Sequence, residues 1–105
     1  MEGLVFKSGG DPAGSCNPGW GYMVALDSKT MKRVSFVDFS CENGITFIEM
    51  IEVQPDYWGQ GVEVQLLDHL QSEAGDNKLQ PGSNMTDAAQ ELFIMWENKH
   101  ESSPK

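Results

Sequence analysis

The fold of this chain is decided where a strand pattern gives way to a helix pattern, in Glu52-Val53-Gln54-Pro55-Asp56-Tyr57-Trp58-Gly59-Gln60-Gly61-Val62-Glu63-Val64-Gln65-Leu66-Leu67. Residues 45–53 are rich in β-branched and aromatic side chains, which favours a strand. From Val62 to Ala74 apolar residues recur every three or four positions, and Gly75 follows, so an amphipathic helix is predicted over 62–74. A strand, a glycine-containing loop and a helix therefore follow one another directly.

The residues before this stretch predict an antiparallel meander. Strand-like runs occupy 20–26, 33–39 and 45–53, with a short one at 4–6, and polar turns at 27–30 and at Asn43-Gly44 separate the later strands. Residues 8–18 contain three glycines and two prolines, which predicts a loop.

The residues after it predict a connector over 75–84 and a second helix that begins with Thr86 as N-cap. This helix runs to about Lys99 and buries Ala89, Leu92, Phe93 and Trp96, and the tail 101–105 is expected to fray. The fold class is thus α+β, an antiparallel meander of three to four strands followed by two helices, in a single domain spanning 1–105.

Composition excludes several classes of function. A chain of 105 residues suits one domain, and its net charge of −9 repels a phosphate backbone, so we expect no nucleic-acid partner. With no apolar run of about 18 residues and no signal-peptide pattern at the amino terminus, we expect a cytoplasmic protein without a membrane partner. Cys16, Cys41, His69 and His100 lack metal-ligand spacing, so no metal is expected and both thiols are predicted to be reduced and half-buried.

The glycines at 59 and 61 predict an anion site. They bring bare backbone N–H groups to the positive end of the helix dipole, which can hold a pyrophosphate without basic side chains. A tight strand-to-helix turn uses glycine for its geometry alone as well, so the pair does not decide between the two interpretations.

The wider pattern Val53-x-Pro55-x-Tyr57-x-Gly59-x-Gly61-Val62-x-x-x-Leu66-Leu67 resembles the acetyl-coenzyme A signature of the GNAT N-acetyltransferase superfamily. The resemblance implies a GNAT-like core that lacks the usual early helices, acetyl-CoA as a substrate, and acetyl transfer to an amine. It also implies a set of cofactor-binding residues, namely Ile51 and Val53 along the pantetheine and Trp58, Gly59, Gln60, Gly61, Val62 and Glu63 around the pyrophosphate.

Three departures from that signature matter for function. Trp58 stands where the family has Arg or Gln, and Glu63 stands where it has Gly or Ala. Residues 8–18 are too few for the two helices that help build the family's acceptor pocket. The missing wall indicates a large acceptor, a homodimer that supplies the wall, or no catalysis.

Candidate catalytic residues are Glu49, Glu52 and Tyr57. An amine that attacks a thioester needs a base and an acid. The two glutamates are three residues apart, so the period of a strand predicts opposite faces, and at most one of them faces a cleft. The family's usual Tyr acid corresponds to Phe93, which has no proton to give, so Tyr57 is the substitute, whereas His69 is predicted to be solvated.

An alternative is a non-catalytic GNAT-fold protein that binds a basic protein surface through its acidic charge, as small proteins from phages or mobile elements do. Trp20 and Trp58 flank loops and are predicted to be partly exposed contact residues. Met50, Met95 and Trp96 lie on apolar faces and are predicted to be core.

Overall fold

The computed structural model describes residues 3–10, 19–83 and 85–101, and within these ranges it contains a five-stranded sheet and two α-helices. The elements in chain order are β1 (Leu4–Gly10), β2 (Gly19–Asp27), β3 (Arg33–Glu42), β4 (Ile45–Val53), a 3-10 turn (Pro55–Tyr57), α1 (Val62–Ala74), β5 (Lys78–Pro81) and α2 (Asp87–Glu101). The spatial order is β1-β2-β3-β4-β5; the first four strands are antiparallel neighbours, and β5 runs parallel to β4.

The predicted meander is confirmed, and its first strand is longer than expected. Asn43 and Gly44 have φ values of 52° and 79°, as the predicted tight turn requires. Ser8–Gly10 were predicted to be loop, but they continue β1 and pair with β2. The two strands come very close here: a Cβ at Gly21 would collide with the Gly9 carbonyl oxygen, so the pairing is possible because residue 21 is glycine. The rest of the predicted loop, 11–18 with Cys16, lies outside the described residues, as do 102–105 of the predicted tail.

The predicted connector 75–84 contains a strand. Lys78–Pro81 pair in parallel with Ile45–Ile48 of β4. This strand has only four residues, begins with lysine and ends with proline, and shows no clear alternation of polar and apolar residues. It therefore forms because its backbone pairs with the edge of β4, and the local sequence does not predict it.

Both helices pack on one face of the sheet. The core lies between the inward side chains of β2, β3 and β4 and the apolar faces of the two helices. Its members include Met23, Val37 and Ile51 of the sheet, Leu66, Leu67 and Leu70 of α1, and Ala89, Phe93 and Trp96 of α2. On the opposite face Trp20 is 78% exposed and Tyr22 is 50% exposed. Neither described helix is long and apolar enough to span a membrane.

Two predictions about burial need correction. Met95 is 51% exposed, because the apolar stripe of α2 passes through Ala89, Phe93 and Trp96 and leaves Met95 to one side. Cys41 is fully buried rather than half-buried, and its Sγ lies 3.5 Å from Thr46 Oγ1. Trp96 is core as predicted, and its Nε1 donates to Asp68 Oδ1 at 2.9 Å.

Thr86 caps α2 as predicted, since its Oγ1 accepts a hydrogen bond from Ala89 N at 3.2 Å. Thr86→Ala is expected to lower the free energy of unfolding by about 1 kcal/mol, because this amide then loses its acceptor. Thermal unfolding should show a drop of roughly 4–8 °C in Tm. Thr86→Ser keeps the hydroxyl and is the matched control; an equal loss in the serine variant would contradict the cap.

Candidate functional site

Strands β4 and β5 part halfway along β4. Their pairing covers only Ile45–Ile48, and it closes with a hydrogen bond from Gly82 N to Ile48 O at 2.7 Å. Beyond this point β4 continues to Val53 with no described strand on that side. The second half of β4 therefore presents an open edge within the sheet.

A β-bulge lies at the same point. Asp38 of β3 faces Met50 while Phe39 faces Ile48, so Glu49 is the extra residue of β4. The buried positions shift with it, from Thr46 and Ile48 before the bulge to Ile51 and Val53 after it. A bulge bends its strand and increases the local twist, which supplies a physical reason for β4 to leave β5 here.

The open edge carries the backbone groups of Ile51 and Val53. Gln54 N donates to Val34 O at 2.8 Å, and in an antiparallel ladder bonded residues alternate, so Glu52 also faces β3. The N–H and C=O groups of Ile51 and Val53 consequently point away from β3. The Val53 carbonyl already accepts a hydrogen bond from Trp58 Nε1 at 2.6 Å.

A cleft of about 260 Å³ runs along this edge. Its strand side is formed by residues 51–53 of β4 together with residues 33–36 of β3. Ala88 and Leu92 of α2 and Trp58 of the loop also line it. Past Trp58, a groove of about 130 Å³ continues between the loop and α2, and it is lined by Trp58, Gly59, Glu63, Ala88, Glu91, Leu92 and Met95. We call these two spaces the edge cleft and the helix groove.

The loop before α1 has the backbone that an anion site needs. Gly59 and Gly61 have φ values of 81° and 77°, and a Cβ at either position would meet nothing within 4 Å, so the loop faces open space. Gly61 is the N-cap of α1, and no side chain caps the first turn. Main-chain N–H groups at the positive end of a helix dipole are the groups that bind anions in proteins.

The other predicted loop residues have different surroundings. Gln60 is exposed, and its Nε2 donates to Asp56 O at 3.2 Å. Val62 is buried against Val34 and Val53. Glu63 is buried and lines the helix groove together with Gly59 of the loop and Glu91 of α2, so two acidic side chains line the groove next to the loop.

The bulge changes the predicted relation between Glu49 and Glu52. Glu52 is exposed opposite Phe36, on the face that the helices leave uncovered. Glu49 lines a depression of about 400 Å³ on that same face, beside Trp20, Tyr22 and Asp38. The expectation of opposite faces was wrong, because the extra residue interrupts the two-residue alternation.

Glu49 also lies at the fork between the two strands. A Cβ on Gly82 would collide with Glu49 Oε1, so the carboxylate rests against the residue at which β5 leaves the sheet. Glu52, in contrast, lines the edge cleft further along the strand.

Tyr57 is not brought to either space. Its hydroxyl donates to Asp27 Oδ2 at 3.3 Å, and its ring packs beside Val34, Val53 and Val62. Partial burial and the neighbouring Asp27 carboxylate raise the pKa of Tyr57, so the phenol keeps its proton at neutral pH. The Asp27 carboxylate accepts a hydrogen bond from Lys29 N, which lowers the pKa of Asp27.

Sequence reasoning missed the α2 wall of the edge cleft and the second carboxylate, Glu91. The position of this wall and of Glu91 depends on how α2 packs across the open edge of β4, which no local sequence pattern predicts. The bulge did leave a signal, because Ile48-Glu49-Met50-Ile51 breaks the alternation expected of a half-buried strand.

No family model matches this sequence. No curated protein matches it either. Among solved structures, the chain is similar to AAC(6')-Iy in complex with the bisubstrate analogue CoA-S-monomethyl-acetylneamine, with 16% identity and a TM-score of 0.54. The match covers 82% of this chain and 63% of that one, so this chain corresponds to less than two thirds of the acetyltransferase structure. The chain therefore has a GNAT-like α+β fold.

Proposed function

We propose that this protein binds acetyl-CoA and transfers the acetyl group to a primary amine. The observation that carries the proposal is the parting of β4 from β5 directly beside an uncapped glycine loop. The solved structure with a similar fold holds a bisubstrate analogue of CoA and an acetylated amine, which supports the same class of ligand here.

Two sets of backbone groups hold the thioester in this proposal. The edge groups of Ile51, together with the N–H of Val53, bond to the amides of the pantetheine arm, as an added strand would. The amides of residues 59–63 bind the diphosphate at the start of α1. Glu63 and Glu91 weaken this second contact by repulsion, so we expect a modest affinity.

Glu49 is the proposed base. The amine nitrogen forms a bond to the thioester carbon, the carbon–sulfur bond breaks, and the ammonium proton passes to the Glu49 carboxylate, while the sulfur leaves as thiolate. Thiols titrate near pH 8.5, so the thiolate departs readily and takes its proton from water. The role of Tyr57 as acid stays a prediction.

The uncovered face of the sheet is the proposed approach of the acceptor. Trp20, Tyr22 and Asp38 surround Glu49 there, and aromatic rings beside carboxylates suit a cationic amine. An open face also has room for an acceptor larger than a free metabolite.

Acetyl-CoA should raise the Tm of the protein, since a ligand at 100 times its Kd adds about 2.7 kcal/mol to the free energy of unfolding. Gly61→Glu places a carboxylate in the open space before the amides and is expected to weaken binding at least tenfold, or about 1.4 kcal/mol. Gly61→Asn is the matched control, because asparagine tolerates positive φ and adds no charge. Thermal unfolding of each variant with and without ligand measures the difference.

Two outcomes would contradict the proposal. The first is the absence of any Tm shift at millimolar acetyl-CoA in the unmodified protein. The second is equal binding by the glutamate and asparagine variants, which would locate the ligand away from the loop.

A second candidate is a non-catalytic protein that binds a basic partner, and the exposed Trp20 and Tyr22 beside Asp38 and Glu49 favour it. An octalysine peptide is the probe. This candidate predicts that the peptide quenches Trp20 fluorescence, that salt reverses the effect, and that Trp20→Ala abolishes it. Binding that salt does not weaken would count against a charge-driven contact.

A further inference from the structure

Glu63 is the only buried acidic or basic side chain among residues 3–10, 19–83 and 85–99, the ranges for which side-chain burial is described. The side chain is only 4% exposed, and it lines the helix groove. The other two buried polar side chains have partners: Ser35 donates to Glu52 O, and Thr46 Oγ1 accepts from Asn77. No described residue forms a hydrogen bond or an ion pair with the Glu63 carboxylate. Since no fully buried side-chain oxygen of the described residues lacks a partner, the carboxylate oxygens reach the space of the groove although the side chain as a whole is buried.

A carboxylate that reaches only a narrow groove and has no partner is unfavourable unless water or an opposite charge compensates its charge. The amino terminus of α1 supplies part of this compensation, since Glu63 belongs to its first turn. The facing element adds none: the α2 residue across the groove is Glu91, a second carboxylate, and no lysine or arginine lines the groove. The groove is therefore a largely apolar space whose two charged lining residues are both acidic.

The chemistry of the walls selects the kind of cation. Trp58, Ala88, Leu92 and Met95 are apolar, and two carboxylates supply too few oxygen ligands for the six to eight that Ca²⁺ takes. The indole of Trp58 offers a π face to an organic cation, and the leucine and methionine suit an alkyl chain. A volume of about 130 Å³ admits a side-chain-sized group.

We propose that the helix groove binds an organic cation with a short alkyl body, an alkylguanidinium or alkylammonium, whose charged head pairs with Glu63. Glu91 closes the pair from α2, and Trp58 and Leu92 cover the alkyl part. This site does not depend on acetyl transfer. It adjoins the loop amides, so a bound cation also neutralises the charge that opposes a diphosphate there.

The test is an NMR titration of the full chain with n-butylguanidinium in the absence of CoA. The Trp58 indole N–H and the Gly59 amide should shift and saturate, and Glu63→Gln should weaken the binding at least tenfold. Glu42→Gln removes the same charge from an exposed site at the far end of β3 and should bind like the unmodified protein. N-butylurea, a neutral molecule of the same shape, should bind at least tenfold more weakly.

Glu91→Gln is a second test that does not risk unfolding the protein, because Glu91 is exposed and its replacement should not disturb the core. We expect this variant to bind the cation about threefold more weakly. The proposal is overturned if N-butylurea binds equally well, if Glu63→Gln folds and retains full affinity, or if only Trp20 responds. The titration contains no CoA, so a negative result would contradict the cation site without affecting the acetyl-CoA proposal. A missing thermal shift with acetyl-CoA would in turn contradict that proposal without affecting the cation site.

Discussion

Replacing Phe93 by alanine is expected to lower the free energy of unfolding by about 3–5 kcal/mol. The ring is 1% exposed, and its centroid lies 5.5 Å from that of Trp96 in a tilted pair. Its removal leaves a cavity where α2 meets the sheet and α1. Since small domains have only 5–15 kcal/mol in total, chemical denaturation should show a large fall in midpoint, with partial unfolding at 37 °C.

Met95→Ala is the matched control for Phe93→Ala. Met95 lies two residues further along the same helix, and half of it is exposed, so we expect a change within about 0.5 kcal/mol. Comparable losses in the two variants would mean that α2 packs with a different face, and the walls of the edge cleft would then be misassigned.

The same comparison separates what periodicity can predict from what it cannot. The repeat from Val62 to Ala74 predicts α1 with its observed bounds, and Thr86 is the observed cap of α2. Local signals suffice there because capping and amphipathicity act within a few residues. Met95 shows the limit: α2 uses a narrow stripe, and the width of a buried stripe is set by its neighbours.

The sheet shows a second limit. Three strands of the meander follow from alternation and from Asn43-Gly44, whereas β5 and the bulge at Glu49 depend on pairing between distant segments. The extra residue in β4 exchanges the two faces for every residue of the strand that follows it. For this reason the side chains of Glu49 and Glu52 lie on the same face of the sheet. The glycine loop could be predicted from sequence, but the edge cleft could not, because it exists only where β5 ends early.

Glu49→Gln is expected to lower kcat for acetyl transfer by about 10²–10⁴-fold, the usual contribution of general base catalysis. Glutamine keeps the shape of the side chain and its contact with Gly82 but cannot take a proton. Acetyl-CoA binding should be unaffected, because the proposed contacts are made by backbone groups of Ile51, of Val53 and of residues 59–63. Thiol release, followed with neamine, spermidine and a lysine peptide as acceptors, measures the rate.

The decisive comparison is with Glu52→Gln, three residues further along the strand. Glu52 lines the edge cleft but is exposed and lies away from the fork, so its loss should change kcat far less. The pH profile distinguishes a base from a merely structural group: the rise of kcat/KM with pH that reports the base should disappear in Glu49→Gln and persist in Glu52→Gln. If the larger loss and the altered profile appear in Glu52→Gln instead, the reacting carbonyl lies in the cleft and not at the fork, and the assignment of Glu49 is wrong.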